Sequence, residues 1–370
     1  NICVNLRLNK IENCMKAITS IFRLSPHFGG SWRGALLLSL LFFVSCQNNP
    51  MVKPSASGRP YEVLVVMDEE PWKGPTGQAL VAVLTGDIAG LPQSESFASV
   101  SNVSVANFTN ALKYFRNIIY VDIDGSIYSR VKMTFTRNEN ASGQYIITIH
   151  APSQKAFIEW CEEKGDGIKA LIHRGELNRM ADQLKRKYSG KTYDMVKETF
   201  DCRLYVPVDL SCFKQGENFV WTSTPGNQMN ICVYSYPYEG PQTFNKEYCL
   251  AKRDSIMGAN IPGGREGSCM GTDTLSVDVT DIVVRGGYAC EARGLWKMTK
   301  EFLGGPFVSH SRVDTINNRV IVAEGFVMEF DKLNRTMMRT LEAALYTLDL
   351  PAAAKADRIG NEEERTENKE

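Results

Sequence analysis

The chain has 370 residues with 42 basic and 42 acidic side chains, so its formal net charge is zero. This balance excludes the strongly basic character typical of nucleic-acid-binding proteins, and we expect no nucleic-acid partner. No two cysteines have CxxC spacing, and the histidines beyond residue 45 form no i, i+4 pair. The sequence therefore predicts neither a metal site nor a cofactor.

The first distinctive segment is the apolar run Ala35–Cys46. About ten apolar residues are too few for a membrane-spanning helix, which needs about 20, but they suit a secretory signal. Three cations precede the run, with no acidic residue between Met15 and Cys46: Lys16, Arg23 and Arg33. We expect residues 1–14 to be a gene-start artefact and residues 15–45 to be a signal peptide.

The end of this run resembles a bacterial lipobox. Val44 and Ser45 precede Cys46 as in that class, whereas Phe43 stands where Leu is more usual. The resemblance implies cleavage before Cys46, a diacylglyceryl group on its thiol and acylation of the new N-terminus. An ordinary signal peptide followed by an incidental cysteine is the alternative. Residues 46–60, rich in Ser, Pro and Gly, are then predicted to form a flexible tether.

Residues 61–200 are predicted to form an N-terminal α+β lobe. Apolar and β-branched runs predict four strands, of which the last two form a hairpin: Tyr61–Met67, Arg116–Asp124, Ser129–Arg137 and Gln144–His150. Apolar residues at helical spacing predict three helices, the second capped by Ser153: Pro75–Leu84, Gln154–Tyr188 and Tyr193–Phe200.

Residues 201–350 are predicted to form a C-terminal α+β lobe. The same patterns predict six strands: Arg203–Val208, Asn218–Thr224, Met229–Tyr236, Asp273–Val284, Tyr288–Lys297 and Arg319–Phe330. They also predict two helices: Thr243–Met257, with an exposed charged face at Arg253 and Asp254, and Lys332–Leu348. Residues 351–370 are charged and predicted to be disordered.

The fold class predicted from these elements is α+β, with two lobes of mainly antiparallel sheet and packed helices. Each half begins with a strand and later has a hairpin followed by an amphipathic helix. A tandem duplication is one explanation of this shared outline.

Four segments stand out when the chain is considered as a whole: Tyr61–Met67, Arg116–Asp124, Glu291–Trp296 and Gly304–Arg312. They resemble a lipoprotein family of unknown function from the Bacteroides group of Gram-negative bacteria, over roughly Tyr61 to Pro351. The resemblance implies an address in the Gram-negative envelope and brings no known activity, cofactor or catalytic residue. Gln47 follows Cys46 where an Asp would suggest inner-membrane retention, and the acidic run that resembles a surface-export signal is absent. Both features favour the outer membrane with the protein facing the periplasm.

The densest polar constellation lies in Ser309–Asp314. Alternation in a strand places His310, Arg312 and Asp314 on one face, where they could bind an anion or exchange protons, and Arg293 is a further candidate. A solvated polar strand face is the alternative. A serine hydrolase is not indicated, because the chain has no G-x-S-x-G motif.

Seven cysteines follow Cys46, and in an oxidising compartment Cys202 with Cys212, or Cys269 with Cys290, could form disulfides. Buried free thiols are the alternative. Together, these patterns lead us to expect a lipid-anchored binding or assembly protein, with the membrane and an envelope protein as partners. An envelope hydrolase or other enzyme that uses the His310 and Arg312 region is the alternative function.

Overall fold

The computed structural model describes residues 53–328 and 333–351. The predicted signal peptide, Cys46, and residues 352–370 of the predicted tail lie outside the described residues. The described residues contain seven α-helices and thirteen strands, and the strands form two sheets. This architecture confirms the α+β class. The described residues group as one compact unit.

The first sheet has five strands: β1 (Glu62–Val66), β2 (Ser99–Val103), β3 (Asn117–Ile123), β4 (Lys132–Arg137) and β5 (Tyr145–Ala151). Their order is β2-β1-β3-β5-β4. The pairs β1–β2, β1–β3 and β3–β5 are parallel, and β4 is antiparallel to β5, as predicted for that hairpin. The expectation of mainly antiparallel pairing is therefore wrong for this sheet. Parallel pairs need crossover connections, and two helices supply the first one: α1 (Glu69–Lys73) and α2 (Pro75–Thr85).

Two further helices complete the first lobe: α3 (Gln154–Lys164) and α4 (Asp166–Arg186), separated at Gly165. The backbone N–H of Ala156 donates to Ser153 Oγ at 3.2 Å, which confirms the predicted cap. Helices α2 to α4 bury one face of the first sheet, including Val65, Ile119 and Ile147. The alternating valines and isoleucines of β1, β3 and β5 supply this core because successive strand residues point to opposite faces.

The second sheet has eight strands: β6 (Cys212–Gly216), β7 (Phe219–Ser223), β8 (Met229–Pro237), β9 (Met270–Thr272), β10 (Asp278–Val284), β11 (Gly287–Met298), β12 (Gly304–Asp314) and β13 (Arg319–Val327). Their order is β10-β11-β12-β13-β8-β7-β6, with β9 beside β11. Every pair is antiparallel, as expected for this lobe. The two sheets differ in strand order and direction, so the structure does not support a tandem duplication.

Helices cover both faces of the second sheet: α5 (Gly190–Phe200), α6 (Lys246–Asn260) and α7 (Arg335–Leu345). Leu250 and Met257 of α6 pack in one core with Trp296 and Phe326. Phe200 of α5 packs in the opposite core together with α7. Helix α5 falls within the predicted N-terminal lobe, residues 61–200, but its apolar side chains are buried in the second lobe.

The end of the predicted tether is bound to the first lobe. The backbone N–H of Ala56 donates to Ser142 O at 2.9 Å, and that of Arg116 donates to Ser57 O at 2.9 Å. Across residues 53–328 and 333–351, no helix is both long and apolar enough to cross a membrane. The seven cysteines in these ranges are free thiols, so neither proposed disulfide is present.

Candidate functional site

Helix α7 carries one apolar face and one charged face. Leu341, Ala344 and Leu345 are buried in the core of the second sheet. Arg335, Arg339 and Glu342 recur every three or four residues, so they lie on another face of the helix. Both the charged side chains of this face and residues of the first lobe line one cavity.

The cavity has a volume of about 390 Å³ and lies between the two lobes. Small-molecule sites typically have volumes of ~300–1,000 Å³. The first lobe contributes the loop after α2 and one face of α4, and the second contributes β10, β11 and α7. Most of the wall is apolar: Ile88, Leu91, Phe97, Ile282, Met338 and Tyr346.

The glycine at position 90 allows the first-lobe loop to approach β11. Gly90 has φ +77°, and a Cβ there would lie 2.7 Å from Arg293 Cγ. A larger residue would meet both a strained backbone and this side chain. The local sequence thus permits the close contact that brings Arg293 to the cavity wall.

A network of charged side chains crosses the cavity. Glu342 Oε1 accepts hydrogen bonds from His173 Nε2 at 2.9 Å and from Arg293 Nη2 at 2.7 Å. Arg293 also donates to both carboxylate oxygens of Glu291, at 3.1 and 3.3 Å. His310 Nε2 lies 3.2 Å from Glu291 Oε2. The network therefore joins α4, α7, β11 and β12.

The charges in this network stabilise one another. Burial alone would raise the pKa of Glu342, but Arg293 and His173 hold it well below its ordinary value. Burial opposes ionisation of Glu291 as well, and Arg293 and the His310 hydrogen bond lower its pKa. Burial would lower the pKa of Arg293, whereas Glu342 and Glu291 raise it. Both carboxylates and the guanidinium are consequently ionised at neutral pH.

Tyr61, which directly precedes β1, extends the network into the first lobe. Its hydroxyl lies 2.8 Å from His173 Nδ1. The Glu342 carboxylate only accepts hydrogen bonds, so His173 Nε2 carries the proton of that bond, and in a neutral ring Nδ1 accepts from Tyr61. Burial raises the pKa of Tyr61, which keeps the hydroxyl protonated. A continuous hydrogen-bonded chain thus connects the two lobes.

The structure separates the candidate residues that the sequence grouped together. Arg293 lines the cavity. His310 is fully buried behind it, with its ring 5.0 Å from that of Tyr346. Arg312 Nη1 donates to the backbone oxygen of Leu348 at 2.9 Å.

Asp314 is also outside the cavity, where it accepts from Arg319 Nε at 3.0 Å. His310, Arg312 and Asp314 share a strand face, as predicted, but each has its own partner. All three are buried, so the alternative of a solvated strand face is wrong.

The sequence patterns did not predict a role for His173, Arg339 or Glu342. His173 and Glu342 are 169 residues apart, and no local motif connects them. The sequence of α7 did contain one indication of a charged helix face. Charged residues at positions 335, 339 and 342 have helical spacing and lie beside the apolar residues of the same helix. Within the described residues, no group of His, Cys, Asp or Glu has an arrangement that could hold a metal ion.

Comparison with known families divides the chain at the same two lobes. One family model, domain of unknown function DUF8532, matches residues 56–185. Another, domain of unknown function DUF4837, matches residues 189–347. Both segments are similar to families of unknown function. The cavity takes residues from both matches, so neither segment alone contains the whole site.

No curated protein matches the chain. A crystal structure from Bacteroides thetaiotaomicron is similar to part of it, with 13% sequence identity and a TM-score of 0.23. The match covers 40% of this chain and 44% of that chain, and thus less than half of either protein.

Proposed function

We propose that this protein is a lipoprotein anchored through Cys46 in the Gram-negative outer membrane, facing the periplasm, and that it binds a small molecule between its lobes. The lipobox-like sequence before Cys46 supports the anchor. The cavity between the lobes carries the binding proposal, because a preformed space that combines apolar walls with convergent charged groups is typical of ligand sites.

The charge network favours binding over catalysis. Glu291, Arg293 and Glu342 already bind one another, which leaves their main hydrogen-bonding positions occupied. His310 is fully buried and Arg312 bonds a backbone oxygen, so neither faces the cavity. A catalytic acid or base must reach the group with which it exchanges a proton. The enzyme alternative through these two residues therefore has no geometric support.

The anchor is tested by fatty-acid labelling in the host, with wild type beside Cys46→Ala, followed by separation of inner and outer membranes. We expect label and outer-membrane recovery in the wild type, and loss of both in the variant. Equal labelling of the two proteins, or no label in either, would overturn the anchor.

The binding proposal is tested by blocking the cavity. Ala170 is exposed on α4 and lines the cavity, so Ala170→Trp fills space without removing a core side chain. Ala251→Trp is a matched control at an exposed position of α6 outside the cavity. Protein purified from host envelopes is examined by native mass spectrometry and organic extraction.

We expect a bound small molecule in the wild type and in Ala251→Trp, and at least a fivefold lower occupancy in Ala170→Trp. Equal occupancy in all three proteins would place the molecule elsewhere. A wild-type protein that carries no small molecule would contradict the binding proposal.

A further inference from the structure

Arg339 is a buried cation at the cavity wall that no described carboxylate pairs with. Only 9% of the residue is exposed, and its Nη2 donates to the backbone oxygen of Phe97 at 2.5 Å. Its guanidinium lies 3.3 Å from the centre of the Tyr61 ring. The aromatic face and the backbone oxygen compensate part of the charge, but neither supplies a negative ion.

A second cation lies one helical turn away. Arg335 precedes Arg339 by four residues on α7, where like charges repel each other. Burial lowers the pKa of Arg339 to about 10, and the charge of Arg335 acts in the same direction, whereas Tyr61, Glu342 and Glu176 oppose the shift. Arg335 Nε already lies 4.0 Å from Glu95 Oε2, a buried carboxylate, whereas no described carboxylate forms an ion pair with Arg339. An anion beside Arg339 would supply that missing direct partner and reduce the repulsion from Arg335.

Other cations at the cavity are already neutralised. Arg293 has two carboxylate partners, Glu291 and Glu342. Lys169 lies 2.7 Å from Asp166 and is partly exposed. Among the described cations at the cavity, Arg339 would therefore gain most from pairing with a bound anion.

The remaining wall determines what the anion must be attached to. Ile88, Leu91, Ile282 and Met338 line the same space and would stay in contact with water in an empty cavity. Burying apolar ligand surface against them is favourable, at about 25 cal/mol per Å² of surface removed from water.

We infer that the cavity binds a small amphiphile with one anionic group, a carboxylate or a phosphate, which pairs with Arg339 and Arg335 while its apolar part packs against Ile282 and Met338. This inference rests on the proposed binding function and specifies its ligand class. Arg339 supplies a fixed planar donor group. Arg335, which also lies 4.0 Å from Glu95, supplies a more exposed guanidinium at the rim.

The test is isothermal titration at pH 7 of the chain from residue 47 to 370, which contains both lobes. Four probes separate the contributions: octanoate, octyl phosphate, octanol and inorganic phosphate. We expect octanoate or octyl phosphate to bind at least tenfold more tightly than octanol and inorganic phosphate. The anionic probe that binds more tightly identifies the preferred headgroup as a carboxylate or a phosphate.

Arg339→Met removes the charge at similar length and should weaken the preferred anion at least tenfold, without weakening octanol. Arg186→Met, at an exposed position of α4 outside this cavity, is the matched control and should bind as the wild type does. If Arg339→Met does not fold, Arg335→Met serves instead, with an expected loss of at least threefold.

Octanol binding as tightly as both anions would overturn the anionic ligand class while the cavity remained a binding site. The anionic ligand class would also be overturned, with the cavity still a binding site, if no probe binds but envelope-derived protein carries a molecule that Ala170→Trp excludes. Unchanged anion affinity in folded Arg339→Met would also overturn the inference. If Ala170→Trp excludes nothing, the binding function itself fails, which is a different result.

Discussion

Glu95 of the first lobe caps helix α7 of the second: its carboxylate accepts the backbone N–H of Arg335 at 3.1 and 3.2 Å and that of Asn334 at 2.7 Å. Glu95 is 4% exposed. The first N–H groups of a helix have no partner within the helix, and a carboxylate also interacts favourably with the helix dipole.

Removal of this cap should destabilise the protein. We expect Glu95→Ala to lower the free energy of unfolding by about 1–2 kcal/mol, because two backbone donors lose their partner. Urea denaturation measures the change, and hydrogen exchange should become faster at Asn334 and Arg335. Glu159→Ala, at an exposed position of α3, provides the control. Equal stability of the two variants would show that the cap contributes nothing.

Stability should depend on the ionisation of Glu342. Its pKa is lowered in the folded protein, so its contribution is complete above the unfolded value of ~4.3 and is lost as the pH falls below that value towards the folded one. We expect Glu342→Gln to cost about 2–3 kcal/mol at pH 7. Urea denaturation between pH 7 and pH 3 should show this difference narrowing in acid.

Glu198→Gln, on an exposed position of α5, controls for the loss of one carboxylate. A pH-independent difference between Glu342→Gln and the wild type would mean that the charge of Glu342 does not stabilise the network.

The ion pair of Arg253 and Glu324 provides a third prediction. Arg253 Nη2 donates to Glu324 Oε1 at 2.6 Å, and both side chains are buried. Glu324→Ala should therefore cost about 3–5 kcal/mol, because a buried guanidinium would lose its counter-charge. The double variant Arg253→Met with Glu324→Leu should lose less than Glu324→Ala, as measured by urea denaturation. A larger loss in the double variant would contradict this electrostatic explanation.

Close packing of α7 against β13 provides a fourth prediction. A Cβ at Gly325 would lie 2.7 Å from Leu341 Cβ, so Gly325→Ala must displace the helix. We expect a loss of about 1–3 kcal/mol in the free energy of unfolding and weaker ligand binding. At Gly190 a Cβ would meet nothing within 4 Å, which makes Gly190→Ala the matched control. Similar stability of both variants would show that α7 adjusts without cost.

Local patterns in the sequence predicted several elements correctly. The apolar runs at β1 and β3 and the hairpin of β4 and β5 follow from side-chain alternation, which needs no information from distant residues. Strand β2 was missed because Ser99–Val103 is a polar edge strand without that pattern. The parallel order of the first sheet depends on contacts between distant segments.

Charged residues were harder to interpret for the same reason. Arg253 was predicted to lie on an exposed helix face, yet it is 2% exposed because Glu324, 71 residues later, neutralises it. Arg293 was identified as a candidate, but its partner Glu342 lies 49 residues further along the chain, and no local motif connects the two. A sequence records the type of each charge, whereas pairing decides whether that charge can be buried.

The position of α7 in the chain has a consequence for synthesis. Domains generally begin to fold as the N-terminal part of the chain is made, at ~5–20 residues per second. Glu95, the Phe97 carbonyl and His173 therefore emerge long before the helix that supplies their partners. The cavity is completed only when the last described helix docks, so a prematurely terminated product would contain most of both lobes and still lack the binding site.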